Sequence, residues 1–206
     1  VQYSGILAEH LAVRNEAGLF DVSHMGEATV KGPQARDYLD HLVTNDVSKM
    51  TPGRVLYTPM CYESGTVVDD LLIYCKSDTD FLLCINAGNT EKDIAWMLEQ
   101  SAPFDCEVKN VSADFCQLAI QGPKAEAVLQ TLVETDLSEI KYYHFEEGSI
   151  CGGPAILSRT GYTGEAGFEV YAAWDHGSVI AQAILDAGES MGLVPVGLGA
   201  RDSLRL

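Results

Sequence analysis

Two adjacent carboxylates stand inside an apolar segment of the chain, Val67-Val68-Asp69-Asp70-Leu71-Leu72-Ile73-Tyr74. Aspartate is uncommon in β-strands, and burying it without a partner costs free energy. Because successive strand residues point to opposite faces, only one of the two carboxylates can normally face a given pocket. Two interpretations stay open. Either both are solvated in a bulge or cap backbone N–H groups, or one is held in a semi-buried pocket and binds a cationic or N–H-rich ligand.

A second candidate segment has glycine at every third position, Ser158-Arg159-Thr160-Gly161-Tyr162-Thr163-Gly164-Glu165-Ala166-Gly167-Phe168-Glu169. Glycine allows backbone freedom and close approach, which predicts a tight loop between two strands. It is not a dinucleotide-binding loop, because it does not open a helix in a β-α-β unit. One interpretation is a plain hairpin connection in which Tyr162 packs and both glutamates are exposed; the other is a binding loop.

Three tyrosines lie near these carboxylates in sequence patterns typical of strands or loops, namely Tyr57, Tyr74 and Tyr162. Together they can line a flat, partly polar cleft for a heteroaromatic ring, although each taken alone is an ordinary core residue. Between Arg159 and Arg201 there is no lysine or arginine. These two arginines are therefore among the few groups in this part of the chain that can bind a ligand carboxylate.

Hydrolase and metal chemistry find little support in the sequence. Ser23 and His24 are adjacent, so they cannot easily form a nucleophile–base pair on one strand, and no Gly-x-Ser-x-Gly elbow is present. The five histidines show no metal-ligand spacing, so no metal site is predicted and His24 is interpreted as a structural histidine. The six cysteines lack a Cys-x-x-Cys pair and mostly sit in apolar runs, which predicts buried, reduced thiols.

Composition limits the class of protein. A chain of 206 residues with 47% hydrophobic content can bury one substantial core or two smaller ones. A formal charge of −17 argues against a nucleic-acid partner, because neutralising phosphates requires a basic face. No run of about 18 apolar residues exists for a membrane span, and the first residues lack a signal-peptide pattern. We therefore expect a soluble, intracellular protein.

The chain contains a short internal repeat, called the internal echo below, in which the same strand, Gly-Pro and helix pattern occurs twice. Val30-Lys31-Gly32-Pro33 and Ile120-Gln121-Gly122-Pro123 lie 90 positions apart, and each precedes a helical pattern. Each is predicted as a strand, a Gly-Pro turn with proline at the first helical position, and an amphipathic helix. Short turns between several strands favour a mixed, largely antiparallel sheet. Strands are predicted at 54–60, 66–76, 80–86, 106–111, 115–120, 150–158 and 168–172, and helices at 4–17, 89–99 (capped by Asn89) and 175–190.

Taken together, the segments resemble the aminomethyltransferase (T-protein) family. The resemblance spans nearly all of the chain and keeps the order of the family's motifs. It rests on Asp-Val-Ser-His-Met-Gly (21–26), Thr-Asn-Asp (44–46), Val-Asp-Asp-Leu (68–71), Asn-Ala-Gly-Asn (86–89) with Lys92-Asp93, Gln-Gly-Pro (121–123), Arg-Thr-Gly-Tyr-Thr-Gly-Glu (159–165) and Gly-Leu-Gly-Ala-Arg-Asp-Ser-Leu-Arg-Leu (197–206).

The resemblance implies an α+β folate-binding fold with mixed, largely antiparallel sheets and helices packed on them. It implies two interleaved subdomains, the first discontinuous at 1–50 and 137–206 and the second, ferredoxin-like, at 51–136. In the family the chain begins upstream of this one and continues into a β-rich third domain, so we expect that domain to be missing here.

The resemblance also implies an activity. Family members transfer the methylene of an aminomethyl group, carried on the lipoyl arm of the H-protein of the glycine cleavage system, to tetrahydrofolate. The products are 5,10-methylenetetrahydrofolate and ammonia. By position, Asp70 matches the family's essential carboxylate beside the folate, and Asp69 should face away. Folate-binding positions match Tyr57, Leu72, Tyr74, Asn86, Tyr162, Glu169 and Arg201; Glu169 and Tyr162 match residues that bind the pterin ring.

Alternatives within the same fold are a folate-binding domain of a sarcosine- or dimethylglycine-oxidising enzyme and a demethylase. The segments at 21–26 and 159–165 favour the glycine cleavage enzyme. A non-catalytic folate-binding relative that assists iron–sulfur assembly is disfavoured, because its Lys-Gly-Cys motif is absent while Asp69 and Asp70 are present. An inert folate-binding fragment is a further alternative. We expect a cytoplasmic location in a bacterium or the mitochondrial matrix in a eukaryote, and neither a nucleic-acid nor a membrane partner.

Overall fold

The structure is a computed structural model that describes residues 2–205. It contains six α-helices and eleven β-strands among those residues, joined by short turns and single turns of 3-10 helix. In chain order they are α1 Ile6–Asn15, β1 Ala17–Asp21, β2 Gly26–Lys31, α2 Ala35–Leu42, β3 Val55–Cys61, β4 Val67–Cys75, β5 Asp80–Ile85, α3 Thr90–Ser101, β6 Glu107–Asn110, β7 Phe115–Gln121, α4 Ala125–Gln130, β8 Phe145–Ile150, β9 Gly153–Ser158, β10 Gly167–Ala173, α5 Gly177–Gly188, β11 Leu193–Pro195 and α6 Leu198–Leu204.

These elements form two compact units. Unit 1 comprises Val1–Ser23 and Asp114–Leu206, and unit 2 comprises His24–Ala113. The arrangement is discontinuous, but its boundaries differ from the predicted 1–50, 51–136 and 137–206. Residues 24–50 group with unit 2 because β2 is an inner strand of that unit's sheet, between β5 and β6. Residues 114–136 group with unit 1 because β7 lies between β1 and β10.

Unit 1 is built on a six-stranded sheet in the order β11-β1-β7-β10-β9-β8. Only the β1–β11 pair is parallel. Alternate residues of β7 and β10, such as Ile120 and Phe168, pack with Ile180 and Ile184 of α5 in one apolar core. The residues between them therefore lie on the opposite face of the sheet, where β7 and β10 carry polar side chains.

Unit 2 is built on an antiparallel five-stranded sheet in the order β3-β4-β5-β2-β6. Its core joins one sheet face, including Ile73 and Leu83, to Tyr38 and Leu39 of α2 and Met97 of α3. The buried residues of α2, at positions 35, 38, 39 and 42, recur every three to four residues and so make a single apolar stripe. Among residues 2–205, no helix combines the length and the apolar character that a bilayer span requires.

The internal echo is present as two strand–turn–helix segments with the same backbone feature. Gly32 has a φ of 138° and Gly122 a φ of 128°, a conformation that favours glycine. An added Cβ would lie 2.6 Å from the carbonyl oxygen of Asp105 at the first position and of Glu16 at the second. The helices begin at the second residue after each proline, not at the proline as predicted, because a hydrogen-bonded turn precedes them.

Candidate functional site

The adjacent aspartates of β4 lie on different faces of the unit 2 sheet. Asp69 shares its face with Leu71 and Ile73, which belong to the core beneath α2 and α3. There its carboxylate accepts a hydrogen bond of 2.8 Å from Asn89 Nδ2. Asn89 stands before α3 as predicted, but its side chain does not cap the helix because it is bound to Asp69.

Asp70 points to the other face, where its carboxylate has two side-chain donors. Asn86 Nδ2 donates to Asp70 Oδ1 at 2.8 Å, and the hydroxyl of Tyr57 donates to Oδ2. Tyr57 is 50% exposed and Asp70 is half-buried, so the carboxylate is fixed but accessible. Asp69 also accepts from the backbone N–H of Asp70 at 2.9 Å, as the first interpretation expects, and ligand binding by Asp70 stays a prediction.

The other unit 2 residues proposed for folate binding are close to Asp70 in the sheet. Leu72 pairs with Tyr57 across the β3–β4 ladder, and Tyr74 pairs with Val55, so Tyr57, Asp70, Leu72 and Tyr74 share one face. Leu72 is half-buried, whereas Tyr74 is completely buried. Asn86 directly follows β5 and binds both aspartates. The structure thus brings five predicted residues of unit 2 together.

Unit 1 places Glu169 on the polar face of its sheet, where only 4% of the residue is exposed. Gln117 Nε2 donates to Glu169 Oε1 at 3.0 Å, and the hydroxyl of Thr160 donates to Oε2. Burial raises the pKa of Glu169, although the hydrogen bonds from Thr160 and Gln117 and the charge of Arg201 oppose that effect. The plain-hairpin interpretation was therefore wrong in leaving Glu169 exposed.

Tyr162 lies between Phe20 and Arg201. Its ring meets that of Phe20 edge-on with centroids 5.6 Å apart, and the guanidinium carbon of Arg201 is 4.6 Å from its centroid. The hydroxyl of Tyr162 is buried and has no hydrogen-bond partner among the described residues. A buried hydroxyl without a partner is unusual in a native protein and is a candidate ligand contact.

Two of the three loop glycines, Gly161 and Gly167, pack against Gln121 and the backbone of β7. Gln121 Nε2 donates to the carbonyl oxygen of Thr160 at 3.1 Å, and Gln121 Oε1 accepts from the hydroxyl of Thr163 at 2.9 Å. A Cβ at Gly161 would lie 2.1 Å from Gln121 Oε1, and one at Gly167 would lie 2.4 Å from the carbonyl oxygen of Ile120. Glycine is needed because the loop packs directly on β7.

Sequence reasoning missed three residues of unit 1 that hold this site, namely Gln117, Gln121 and Thr160. The two glutamines alternate with apolar residues in Phe115–Gln121, a pattern that places them on one strand face. That alternation was the available signal. Glu165, which the sequence analysis did not include in the site, pairs with Arg14 at 2.8 Å. Among residues 2–205, no three potential metal ligands are grouped so that they could hold an ion.

Comparison with known proteins assigns the family. The profile of the GCVT N-terminal domain matches residues 1–206. The chain belongs to the GCVT N-terminal domain family. Members similar to it include the aminomethyltransferases of Desulforamulus reducens, 54% identical over 205 residues, and of Natranaerobius thermophilus, 53% identical over 206 residues. All of this chain is covered but only 56% of each relative, so the chain spans about half the length of the curated relatives it matches.

Solved structures agree with this GCVT-domain assignment. The glycine cleavage system aminomethyltransferase T of Bartonella henselae superposes with a TM-score of 0.91 at 34% identity, covering 100% of this chain and 55% of that chain. Heterotetrameric sarcosine oxidase from Corynebacterium sp. U-96 superposes with a TM-score of 0.66 at 17% identity, covering 93% of this chain and 95% of that chain; this likeness concerns the fold alone. The predicted family and the α+β fold are confirmed.

Proposed function

We propose that this chain is the folate-binding part of an aminomethyltransferase of the glycine cleavage system. Its substrates would be tetrahydrofolate and the aminomethyl group carried on the lipoyl arm of H-protein. The observation that carries the proposal is Asp70, a half-buried carboxylate fixed by Tyr57 and Asn86 on an accessible sheet face. The family membership and the names of the relatives at more than half identity support the same activity.

The proposed reaction breaks the carbon–sulfur and carbon–nitrogen bonds of the aminomethyl thioether and joins its carbon to two folate nitrogens. The two N–H protons of the folate leave with the thiol and with ammonia, so the step needs no oxidant. Asp70 would orient a reacting N–H group and stabilise the positive charge that develops during attack. Because Tyr57 and Asn86 already hold the carboxylate, little reorganisation is required, which is the electrostatic contribution expected of a preorganised site.

In unit 1, Glu169 and Tyr162 would bind the pterin ring. A carboxylate can accept two adjacent N–H groups of an amino-pyrimidinone edge, and the unpartnered hydroxyl of Tyr162 offers a further polar contact. Arg201 is the available cation for the anionic tail or the reacting end, since it stacks on Tyr162 and forms no ion pair among the described residues that would occupy it. In unit 2, Leu72 and Tyr74 are further proposed folate-binding residues. The bacterial origin of the relatives supports a cytoplasmic location.

The likeness to sarcosine oxidase does not favour the oxidase alternative, because at 17% identity it shows only a common fold. Eight relatives at 52–54% identity carry the name aminomethyltransferase. No observation in the site favours a demethylase or a folate-binding fragment without activity.

Binding is tested first, by anaerobic calorimetric titration of this chain with tetrahydrofolate. Saturable binding that Glu169→Ala abolishes supports the folate site. Glu165→Ala is the matched control, because Glu165 lies in the same loop but pairs with Arg14 outside the proposed contacts. If neither the chain nor a form extended to the length of its relatives binds tetrahydrofolate, the proposal is wrong.

Transfer is tested in the extended form with aminomethylated H-protein, by ammonia release and by formation of 5,10-methylenetetrahydrofolate. Asp70→Asn keeps the shape of the side chain but removes its charge, so we expect folding to be retained and transfer to be lost. Normal turnover by Asp70→Asn would exclude the proposed role of this carboxylate.

A further inference from the structure

Asp93 is a buried carboxylate that the proposed function does not use. It lies in the first turn of α3 and is completely buried. No N–H or hydroxyl donor among the described residues lies within hydrogen-bonding distance of either oxygen. Lys92 Nζ is 3.6 Å from Oδ1, but that ammonium donates to the carbonyl oxygen of Val68 at 2.5 Å. An ionised Asp93 would therefore be buried with poor compensation.

The carboxylate of Asp69 faces Asp93. Burial is the largest cause and the neighbouring Asp69 the next, and against the opposing charge of Lys92 they raise the pKa of Asp93 to about 7. Burial also acts to raise the pKa of Asp69, but hydrogen bonds from Asn89, Asp93, the backbone of Asp70 and Asn86 bring it below its ordinary value. Two adjacent carboxyl groups with opposite shifts share one proton. That proton belongs to Asp93, which can then donate to the Asp69 anion.

Asn86 links this pair to Asp70. Its Nδ2 is 2.9 Å from Asp69 Oδ1, 2.8 Å from Asp70 Oδ1 and 3.1 Å from the carbonyl oxygen of Asp70. One amide group thus serves acceptors on both sides of the strand. Its position depends on Asp69 being an acceptor that is itself held in place. Asn86 thus connects Asp69 to Asp70 by hydrogen bonds of 2.9 and 2.8 Å, and Asp69 is also hydrogen-bonded to Asp93.

We propose that Asp93 is a positioning residue for the transfer reaction, because its proton holds Asp69 as an oriented anion and Asp69 in turn holds Asn86 against Asp70. This inference rests on the proposed role of Asp70. The titratable groups that act on Asp93 are Asp69 of β4 and Lys92 of α3. Loss of the Asp93 proton would place two negative charges side by side and release the hydrogen bond that orients Asp69.

Kinetics of the extended protein give the first test. Asp93→Leu keeps the branched shape, although leucine is larger, and cannot donate a hydrogen bond, so kcat should fall roughly 10- to 100-fold, with little change in KM for tetrahydrofolate. Asp93→Asn donates a hydrogen bond at every pH, so it should restore most of kcat. Wild-type kcat should also decline above about pH 7, and Asp93→Asn should lack that decline. Glu91→Gln, an exposed acid in the same helical turn, is the control and should behave as wild type.

A merely structural role predicts a different pattern. If Asp93→Leu keeps wild-type kcat, or if Asp93→Asn keeps the wild-type decline above pH 7, the inference is overturned.

NMR of this chain without folate gives a test that does not depend on transfer. The side-chain amide signals of Asn86 should shift with a midpoint near the titration of Asp93, and Asp93→Asn should abolish that shift. If the side-chain amide signals of Asn86 do not shift as Asp93 titrates, the inference is overturned even if Asp70 proves essential. If transfer is never observed but the shift is present, the proposed function fails while the link from Asp93 to Asn86 stands.

Discussion

The hydroxyl of Thr160 donates a hydrogen bond to Glu169 Oε2, and both residues are buried. This bond favours the ionised carboxyl, since burial alone raises the pKa of Glu169 and Thr160 is the leading group that lowers it. A hydrogen bond to a charged group contributes about 1.5–3 kcal/mol. Thr160 thus keeps Glu169 able to accept hydrogen bonds from a ligand.

The substitution Thr160→Val should therefore raise the pKa of Glu169 further and weaken tetrahydrofolate binding about tenfold at pH 7. The loss should shrink at pH 8.5, because there the carboxyl is ionised in a larger fraction of both proteins. Calorimetric titrations at the two pH values measure the effect. Thr163→Val loses an equally buried hydroxyl that is bound to Gln121 at 2.9 Å, so it should not change with pH in this way. Equal pH responses would contradict the argument.

Removing the buried hydroxyl of Tyr162 should weaken folate binding while hardly changing the stability of the fold. Since this hydroxyl has no partner among the described residues, Tyr162→Phe should change the free energy of unfolding by less than about 0.5 kcal/mol. If it contacts the pterin, affinity for tetrahydrofolate should still fall about tenfold. Urea unfolding and calorimetry give the two values.

Tyr38→Phe is the contrasting variant, because the hydroxyl of Tyr38 donates to the carbonyl oxygen of Met97 at 2.7 Å inside the unit 2 core. It should cost about 1–2 kcal/mol of unfolding free energy and leave folate affinity unchanged. A larger loss of stability from Tyr162→Phe than from Tyr38→Phe would show that the Tyr162 hydroxyl has a structural partner.

Sequence predicted the inner strands of unit 2 well because their residues are buried and rich in valine, leucine and isoleucine. The predicted strand 66–76 extends one residue beyond each end of Val67–Cys75. The predicted strand 80–86 begins with Asp80–Ile85 and ends one residue later. It missed Phe145–Ile150 as a separate strand, because this edge strand has the largely exposed sequence Phe-Glu-Glu-Gly-Ser-Ile. A strand whose side chains mostly face solvent has no clear hydrophobic alternation.

Site residues were predicted where a motif marked them and missed where only tertiary contacts reveal them. Asp70 stands out as a carboxylate in an apolar strand. Gln117 had only the weaker signal of strand alternation, since its contact with Glu169 depends on the pairing of β7 with β10. The predicted domain boundaries differ from those of the two compact units, because strand pairing over long sequence distances decides the units and local pattern does not.

Glu27 predicts a decline of stability with pH. It is 1% exposed, neither of its carboxylate oxygens has a partner among the described residues, and burial raises its pKa to about 8. In the unfolded chain it ionises near the ordinary glutamate value of 4.5. Between those values the folded state holds a proton that the unfolded state has released, so stability falls as pH rises, by at most about 1.4 kcal/mol per pH unit.

The variant Glu27→Gln keeps the shape but does not titrate. It should therefore flatten the fall in unfolding free energy between pH 5 and 8, measured by urea denaturation. Some slope should remain up to about pH 7, because Asp93 has a raised pKa as well. An unchanged slope would mean that Glu27 is ionised in the folded protein.

Replacing the glycine of either Gly-Pro turn by alanine should lower the free energy of unfolding. The size of the loss should depend on what the new Cβ contacts as well as on φ. Gly122 has a φ of 128°, and its added Cβ would meet the carbonyl oxygens of Glu16 and Val13 at 2.6 and 2.7 Å. Gly65 also has a positive φ, of 82°, but a Cβ there meets no atom within 4 Å. Gly65→Ala should cost about 1–2 kcal/mol of unfolding free energy, from the left-handed backbone alone. In Gly122→Ala the new Cβ would also clash with backbone carbonyl oxygens, which cannot shift without moving their chain segment. This variant should therefore lose at least about 3 kcal/mol of unfolding free energy.

Gly32→Ala should behave like Gly122→Ala, since its Cβ would lie 2.6 Å from the carbonyl oxygen of Asp105 and 2.7 Å from Cys106 Cα. Urea unfolding of the three alanine variants makes the comparison. A common cost for all three would mean that φ alone selects glycine in the two turns. A larger, similar cost at Gly32 and Gly122 would mean that each turn is built around the same close approach of a neighbouring backbone segment, which explains why the Gly-Pro echo is visible in the sequence.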